Sequence, residues 1–398
     1  MTATRVRRGG PAPETSALPA PRRVLVAAVA GCCAVGLLTV SSASQVLAVE
    51  AGDPPWYFVV RQALWLLAGV ATAAVAARIP LRTWRDRIAL PLLWITALLL
   101  GYIALSEVSR RIGTGVLPFV LERNGSTRWI GLSAVQFQPS ELAKLSLVLC
   151  LARLLSEPDR DLSTRQGVAA PVGVAGLLAT LVMVGDDLGT TVLLGVVLLG
   201  VLMLAGAPWR YLAGIVAVLG AVAFLAIRFL EGFRAARLAA FLDPEAHADG
   251  AGYQIIQSQI GLATGGLLGL GPGSSRNKWG YLPEAHTDFV VSVLGEEYGF
   301  LGLVGLVLLI GLIVLSGLAI ARRCPSRFGQ MAAFGVTIWL GVQAFINVAV
   351  TVGLLPTKGI TLPFVSYGGS SMVVSFIAVG LLYRVAVEEP APGRSTRR

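Results

Sequence analysis

Residues 265–297 read GGLLGLGPGSSRNKWGYLPEAHTDFVVSVLGEE, a glycine-rich segment that gathers Arg276, Lys278, Glu284, His286, Asp288, Glu296 and Glu297. Membrane-spanning apolar runs lie on both sides of it, so its position relative to a bilayer decides the fold. With 55% hydrophobic and 14% charged residues and a mean hydropathy of +0.74, the 398-residue chain is a polytopic membrane protein, not a soluble globule.

A span needs about 20 apolar residues. Ten runs qualify, near 24–45, 57–77, 88–106, 140–156, 168–185, 188–206, 210–229, 298–321, 330–352 and 366–386. The predicted fold is all-α: ten transmembrane helices with a large extracytoplasmic loop between helices 7 and 8. Residues 1–23 form a Pro/Ala/Arg-rich basic tail expected to be disordered, 24–386 the membrane domain, and 387–398 a short second tail. The first apolar run, 22 residues, exceeds the roughly 7–15 of a signal-peptide core and counts as a span.

The net charge of +10 would suggest nucleic acid in a soluble domain, but here it sorts by membrane side. The face holding both termini carries 20 of the 32 basic and 7 of the 22 acidic residues, +13 against −3 opposite. Both termini are therefore expected in the cytoplasm, and a nucleic-acid partner is not. Cys32, Cys33, Cys150 and Cys324 offer neither a disulfide framework nor metal-ligand spacing.

Two outer loops, about 107–139 and 230–297, are long enough to fold on the membrane surface. The first carries Arg110, Arg111, Arg123 and Arg128 on the side that disfavours basic residues. They read either as phosphate ligands or as solvated loop charge. In the second, Gly265 to Gly273 followed by Ser274, Ser275, Arg276 and Lys278 reads as an anion cradle or as a flexible loop. Glu284, His286 and Asp288 alternate just before a span, where an ionisable group is costly unless paired or used. Glu296 and Glu297 suit a helix start, where the dipole favours acids.

Other spans bring polar groups to the same face. FQPSELAKL (137–145) places Ser140 and Lys144 on one helix face, with Glu141 between them. Pro139 fits a first helical turn and Ser140 a cap, but Lys144 lies one turn into apolar surroundings. Asp186 and Asp187 either cap span six or act as counter-ions for Lys144 or Arg128. Lys358 sits in a loop constrained by Pro356, Gly359 and Pro363, and Tyr367 to Ser371 supply small residues for close helix packing.

RWIGLSAVQFQPSELAKL (128–145), DLGT (187–190), the segment 265–302 and NVAVTVGLLPTKGITLPFVSYGGSS (347–371) resemble, in order, the signature segments of the SEDS proteins, the FtsW/RodA family. The resemblance covers about residues 24–386. It implies a ten-span peptidoglycan glycosyltransferase of the bacterial cytoplasmic membrane that polymerises lipid II through β-1,4 bonds at the outer leaflet. The family's essential acid matches Asp288, as general base or as a carboxylate orienting the acceptor hydroxyl, with a divalent cation (Mg or Mn) as an optional helper. Pyrophosphate contacts are expected from Arg128, Lys144, Arg276, Lys278 and Lys358, supported by Ser140, Glu141, Asp187, Glu284, His286 and Tyr367. Asp288 is the sole metal-ligand candidate. The motifs look more like the division branch than the elongation branch, which implies a cognate class B penicillin-binding transpeptidase, other division membrane proteins and the septum. A lipid II flippase and a non-catalytic scaffold are the competing classes; a flippase needs ionisable groups through the bilayer, and these cluster on the outer side.

Overall fold

A computed structural model describes residues 20–123, 126–132, 135–229, 239–357 and 359–388. Helices occupy all ten expected positions: α1 (Pro21–Glu50), α2 (Tyr57–Arg78), α3 (Leu81–Arg111), α4 (Pro139–Leu155), α5 (Arg165–Val184), α6 (Leu188–Ala205), α7 (Trp209–Phe229), then, after α8 (Ala251–Gly265) in the long loop, α9 (Val290–Arg323), α10 (Arg327–Thr351) and α11 (Gly369–Ala386). Eight of the ten are long and apolar enough to cross a membrane. The others are α4, with 17 residues, and α7, whose described apolar part is Trp209–Ala221.

Small residues let these helices approach closely, as they must where lipid removes the hydrophobic drive between spans. A Cβ on Gly380 of α11 would lie 2.4 Å from the Ala73 carbonyl of α2, and one on Gly369 2.5 Å from the Trp65 ring. Gly317 of α9 meets Thr337 of α10 at 2.1 Å in the same sense. Of those eight, α10 and α11 are the most buried, whereas α2 turns Leu64, Leu67 and Val70 outward.

The first of the two long loops departs from the all-α expectation. It contains a three-stranded antiparallel meander of β1 (Val120–Arg123), β2 (Ser126–Leu132) and β3 (Val135–Phe137), with Val120 opposite Ile130 and Ile130 opposite Phe137. A buried ion-pair knot ties it to the end of α3. Glu107, fully buried, accepts from Arg110 (2.6 Å), Arg111 (2.7 Å) and the Thr127 hydroxyl of β2 (2.9 Å). Arg110 and Arg111 therefore build the loop.

The second departure lies in the opening segment. The eighth expected span begins at Val290 instead of 298, so Glu296 and Glu297 sit two turns inside α9 instead of starting it. The helix breaks at Gly299 (φ 66°, ψ −163°), a conformation essentially confined to glycine. Residues 266–271 thread the break: Leu270 and Gly271 donate N–H to the carbonyls of Glu296 and Glu297 (both 3.0 Å), and Phe300 donates to Gly266 (2.9 Å). A Cβ on Gly269 would lie 2.1 Å from the Glu297 carbonyl, so the glycine run is there to let two backbones touch.

Candidate active site

Asp288 is presented by a tight turn immediately before α9. The Glu284 carbonyl accepts the N–H groups of Thr287 (3.1 Å), Asp288 (3.1 Å) and Phe289 (3.3 Å). Glu284 has φ 58°, a left-handed conformation uncommon outside glycine, and its exposed carboxylate accepts from the Thr287 hydroxyl (2.8 Å). Phe289 packs into a small apolar cluster with Leu282, Ala285 and Ile360, which anchors both ends of the turn.

The opposing wall is the loop after α10, gripped by two amides one turn apart on that helix. Asn347 Nδ2 donates to the carbonyls of Asp288 (2.9 Å) and Ile360 (2.7 Å), and Gln343 Nε2 donates to that of Thr361 (2.9 Å). A Cβ on Gly359 would lie 3.5 Å from Asp288 Oδ2, so the half-buried carboxylate faces the backbone of this loop. Lys358, the neighbour of Gly359, lies outside the described residues. Asn347 and Gln343 were not picked out by sequence reasoning; the signal was there, two buried amides at i and i+4 in a span.

Lys144 is 1% exposed and has protein partners: Glu141 at 2.7 Å, Gln343 Oε1 at 2.8 Å, and the Trp339 ring 5.4 Å from its ammonium. A charge at this depth is tolerable only when paired. Glu141 is thus the acid of a buried ion pair, and through Gln343 the pair steadies the loop opposite Asp288. Ser140 does not cap α4; Gln138 is the residue before the first turn, Pro139 opens it, and the Ser140 hydroxyl donates to Asp187 Oδ2 (2.8 Å).

The adjacent acids Asp186 and Asp187 divide the two roles open to them. Asp187 caps α6, its Oδ1 accepting from Thr190 N (3.0 Å). Asp186, at φ 69°, meets Arg128, which donates to its carbonyl (2.6 Å) and stands 3.7 Å from its carboxylate. Arg128 Nε is buried and has no hydrogen-bond partner among the described residues.

His286 and Tyr367 form an aromatic wall. The His286 ring lies 5.1 Å from Phe58 and 5.6 Å from Tyr367, and its carbonyl accepts Tyr367 N–H (3.0 Å). Burial pushes the imidazole pKa below its ordinary 6.5, against a smaller opposing pull from Glu284, so the ring is neutral at pH 7.

Arg276 and Lys278 lie apart from these groups. The buried carboxylate of Glu296 accepts from the Ser275 hydroxyl (2.5 Å), Arg276 N (3.0 Å) and Asn277 N (3.4 Å), and Glu297 accepts from the Ser42 hydroxyl of α1. The two glutamates hold the loop in place. Lys278 folds back to donate to the Gly273 carbonyl, and the exposed Arg276 lines a separate cavity.

No group of three His, Cys, Asp or Glu side chains that could hold a metal occurs among the described residues. The donor set suits the mode in which magnesium is held by one carboxylate together with substrate phosphates and water.

The chain matches the FtsW/RodA/SpoVE family, described as "Cell cycle protein", over residues 22–390. Proteins of similar sequence include the probable peptidoglycan glycosyltransferases FtsW of Nitrosococcus halophilus (39% identical over 393 residues, 98% of this chain and 96% of that one) and Halorhodospira halophila (42% over 369 residues, 92% and 90%). Among solved structures, the rod shape determining protein RodA of Thermus thermophilus aligns with a TM-score of 0.66 at 29% identity, over 91% of this chain and 95% of that one. A chain from a peptidoglycan synthase complex that coordinates polymerization and crosslinking aligns with a TM-score of 0.72 at 30% identity, over 91% and 96%.

Proposed function

This chain belongs to the FtsW/RodA/SpoVE family, and we propose that it polymerises lipid II at the outer face of the bacterial cytoplasmic membrane, with Asp288 as its catalytic acid–base group. It is a peptidoglycan glycosyltransferase of a multi-pass membrane type, and its curated relatives carry the division name FtsW. The finer reading has ten crossings, both termini in the cytoplasm, a site at the septum and a class B penicillin-binding transpeptidase as partner among other division proteins. The synthase complex among the structural relatives supports such a partner.

One observation carries the catalytic reading: Asp288 is fixed by its backbone on both sides, N–H to Glu284 and carbonyl to Asn347, while its carboxylate faces the Gly359 loop. Held this way, the carboxylate is aimed at the loop by its backbone. The acceptor 4-OH attacks the anomeric carbon of the donor, the bond to the pyrophosphate oxygen breaks, and the hydroxyl proton passes to Asp288. Undecaprenyl pyrophosphate leaves, and positive charge near it lowers the barrier. Of the basic residues expected to do this, Arg128 keeps its side chain partly exposed beside Asp186, whereas Lys144 is buried and would have to abandon Glu141 and Gln343. If a divalent cation takes part, Asp288 would be its protein ligand and the ion would supply charge to the leaving phosphates.

The transporter alternative loses ground on helix content. No Asp, Glu, Lys, Arg or His lies in the middle third of any of the ten helices, so no ionisable path crosses the bilayer. The test is direct. Purified protein, alone and with its transpeptidase partner, is given labelled lipid II in detergent and in liposomes, and products are resolved by size. Glycan strands are expected; lipid II crossing liposomes with no polymer under either condition would sink the reading.

A further inference from the structure

A cavity of about 770 Å³ opens beside the loop that carries Asp288, between α8 and residues 276–281, and Asp288 does not line it. That volume lies in the range of small-ligand pockets, roughly 300–1,000 Å³. The α8 wall presents Gln257 and Thr264; the loop wall presents Arg276, Trp279 and Tyr281. Trp279 and Tyr281 flank Gly280, whose φ of 83° turns the chain there, and they stand 63% and 55% exposed.

The walls are built in advance. Glu296 pins Arg276 and Asn277 by their backbone N–H groups, Asn277 Nδ2 donates to Ser292 (3.3 Å), and α8 presses so closely that a Cβ on Gly261 would lie 2.2 Å from that amide. Charge narrows the ligand. Arg276, the cation of the lining, shares it with the carboxylate of Glu296, so the cavity has no net positive charge to recruit a phosphate. Two flat aromatic faces beside an amide, a hydroxyl and a guanidinium instead match a pyranose ring, which has an apolar C–H face and a rim of hydroxyls. The site is also continuous with the reaction centre in the chain: Leu282, next to Tyr281, packs with Phe289, next to Asp288, in one apolar cluster.

Resting on the polymerase reading above, we propose that this cavity is a saccharide subsite that holds the already polymerised strand while the next unit is added at Asp288. Trp279 and Tyr281 are its stacking platform. Losing one aromatic face speeds release of the strand between additions, so chains end sooner.

The experiment uses the full chain with its transpeptidase partner. Strand length from labelled lipid II is compared for wild type, Trp279→Ala and Tyr281→Ala, and binding of chitotetraose is measured by calorimetry on the same preparations. A platform contact worth a factor of about five in affinity shortens strands about five-fold, because affinity changes of this kind act mainly on release. Chitotetraose binding should weaken by a similar factor. Wild-type strand length and wild-type chitotetraose affinity in both variants would overturn the proposal, and a fall in their melting temperature in phosphatidylglycerol nanodiscs would then mark the aromatics as membrane anchors. Should the wild type make no strands at all, the polymerase reading fails by itself. The chitotetraose arm still decides the subsite: binding lost in Trp279→Ala supports it, and no binding by the wild type overturns it.

Discussion

Asp288, in the turn before α9, and Glu296–Glu297, eight and nine residues later inside that helix, are acids of opposite kind. The glutamates are almost fully buried, and their carboxylates accept from Ser42, Ser275 and the backbone of residues 275–277. Asp288 is half-buried, and its main chain is what Glu284 and Asn347 hold. The glutamate carboxylates serve as architecture, whereas the role proposed for Asp288 rests on a clamped backbone that aims its carboxylate at the Gly359 loop. Lys144 and Glu141 fall on the architectural side of that line, at 1% and 6% exposure.

The sharpest way to break this contrast is Asp288→Asn. General acid–base groups contribute about 10²–10⁴-fold, so strand synthesis should fall by that order while the melting temperature of the purified protein is unchanged. A large loss of melting temperature would place Asp288 with the glutamates. Gly299→Ala tests the other side. Its φ of 66° with ψ of −163° suits only glycine, and a Cβ there would lie 2.4 Å from Gly269 N, so destabilisation of about 3 kcal/mol or more is expected. Thermal unfolding in detergent reads it, and an unchanged midpoint would mean that the break in α9 is not fixed by this residue.

Asn347→Ala sharpens the positioning claim and should act less strongly. It leaves the carbonyls of Asp288 and Ile360 without their amide, at a cost of about 1–3 kcal/mol for buried groups left unpaired. If the amide sets the register of Asp288 against the Gly359 loop, kcat falls about ten-fold or more with KM little changed. An equal loss in Gln343→Ala and none in Asn347→Ala would shift the positioning role to the lower amide.

What the sequence made legible were the local signals. Apolar runs located the helices, because length and hydropathy are properties of consecutive residues, and the catalytic role proposed for Asp288 came from its match to a family motif. The rest depends on contacts between distant ones. Asn347 acts on residues 59 and 13 positions away. Glu296 and Glu297 read as a helix start because nothing in their own neighbourhood shows that residues 275–277 return to satisfy them inside a longer helix. The sheet hid for a similar reason: its strands are three to seven residues long, too short for alternation to register, and Thr127 is locked by Glu107, twenty residues earlier.

The smallest expected effect concerns His286, which shares the loop with Asp288 but is packed like the glutamates. Its ring is buried against Phe58 and Tyr367, which lowers its pKa below 6.5, while Glu284 pulls the other way. The unfolded chain therefore binds a proton more readily than the native one, so the stability this ring contributes is present above about pH 6.5 and is lost as pH falls through the lowered native value. Melting temperatures measured across about pH 5 to 8 should decline toward acid in the wild type and decline less in His286→Phe, which keeps an aromatic ring and removes the titration. A decline of equal slope in both would move its origin to the carboxylates and leave His286 as packing alone.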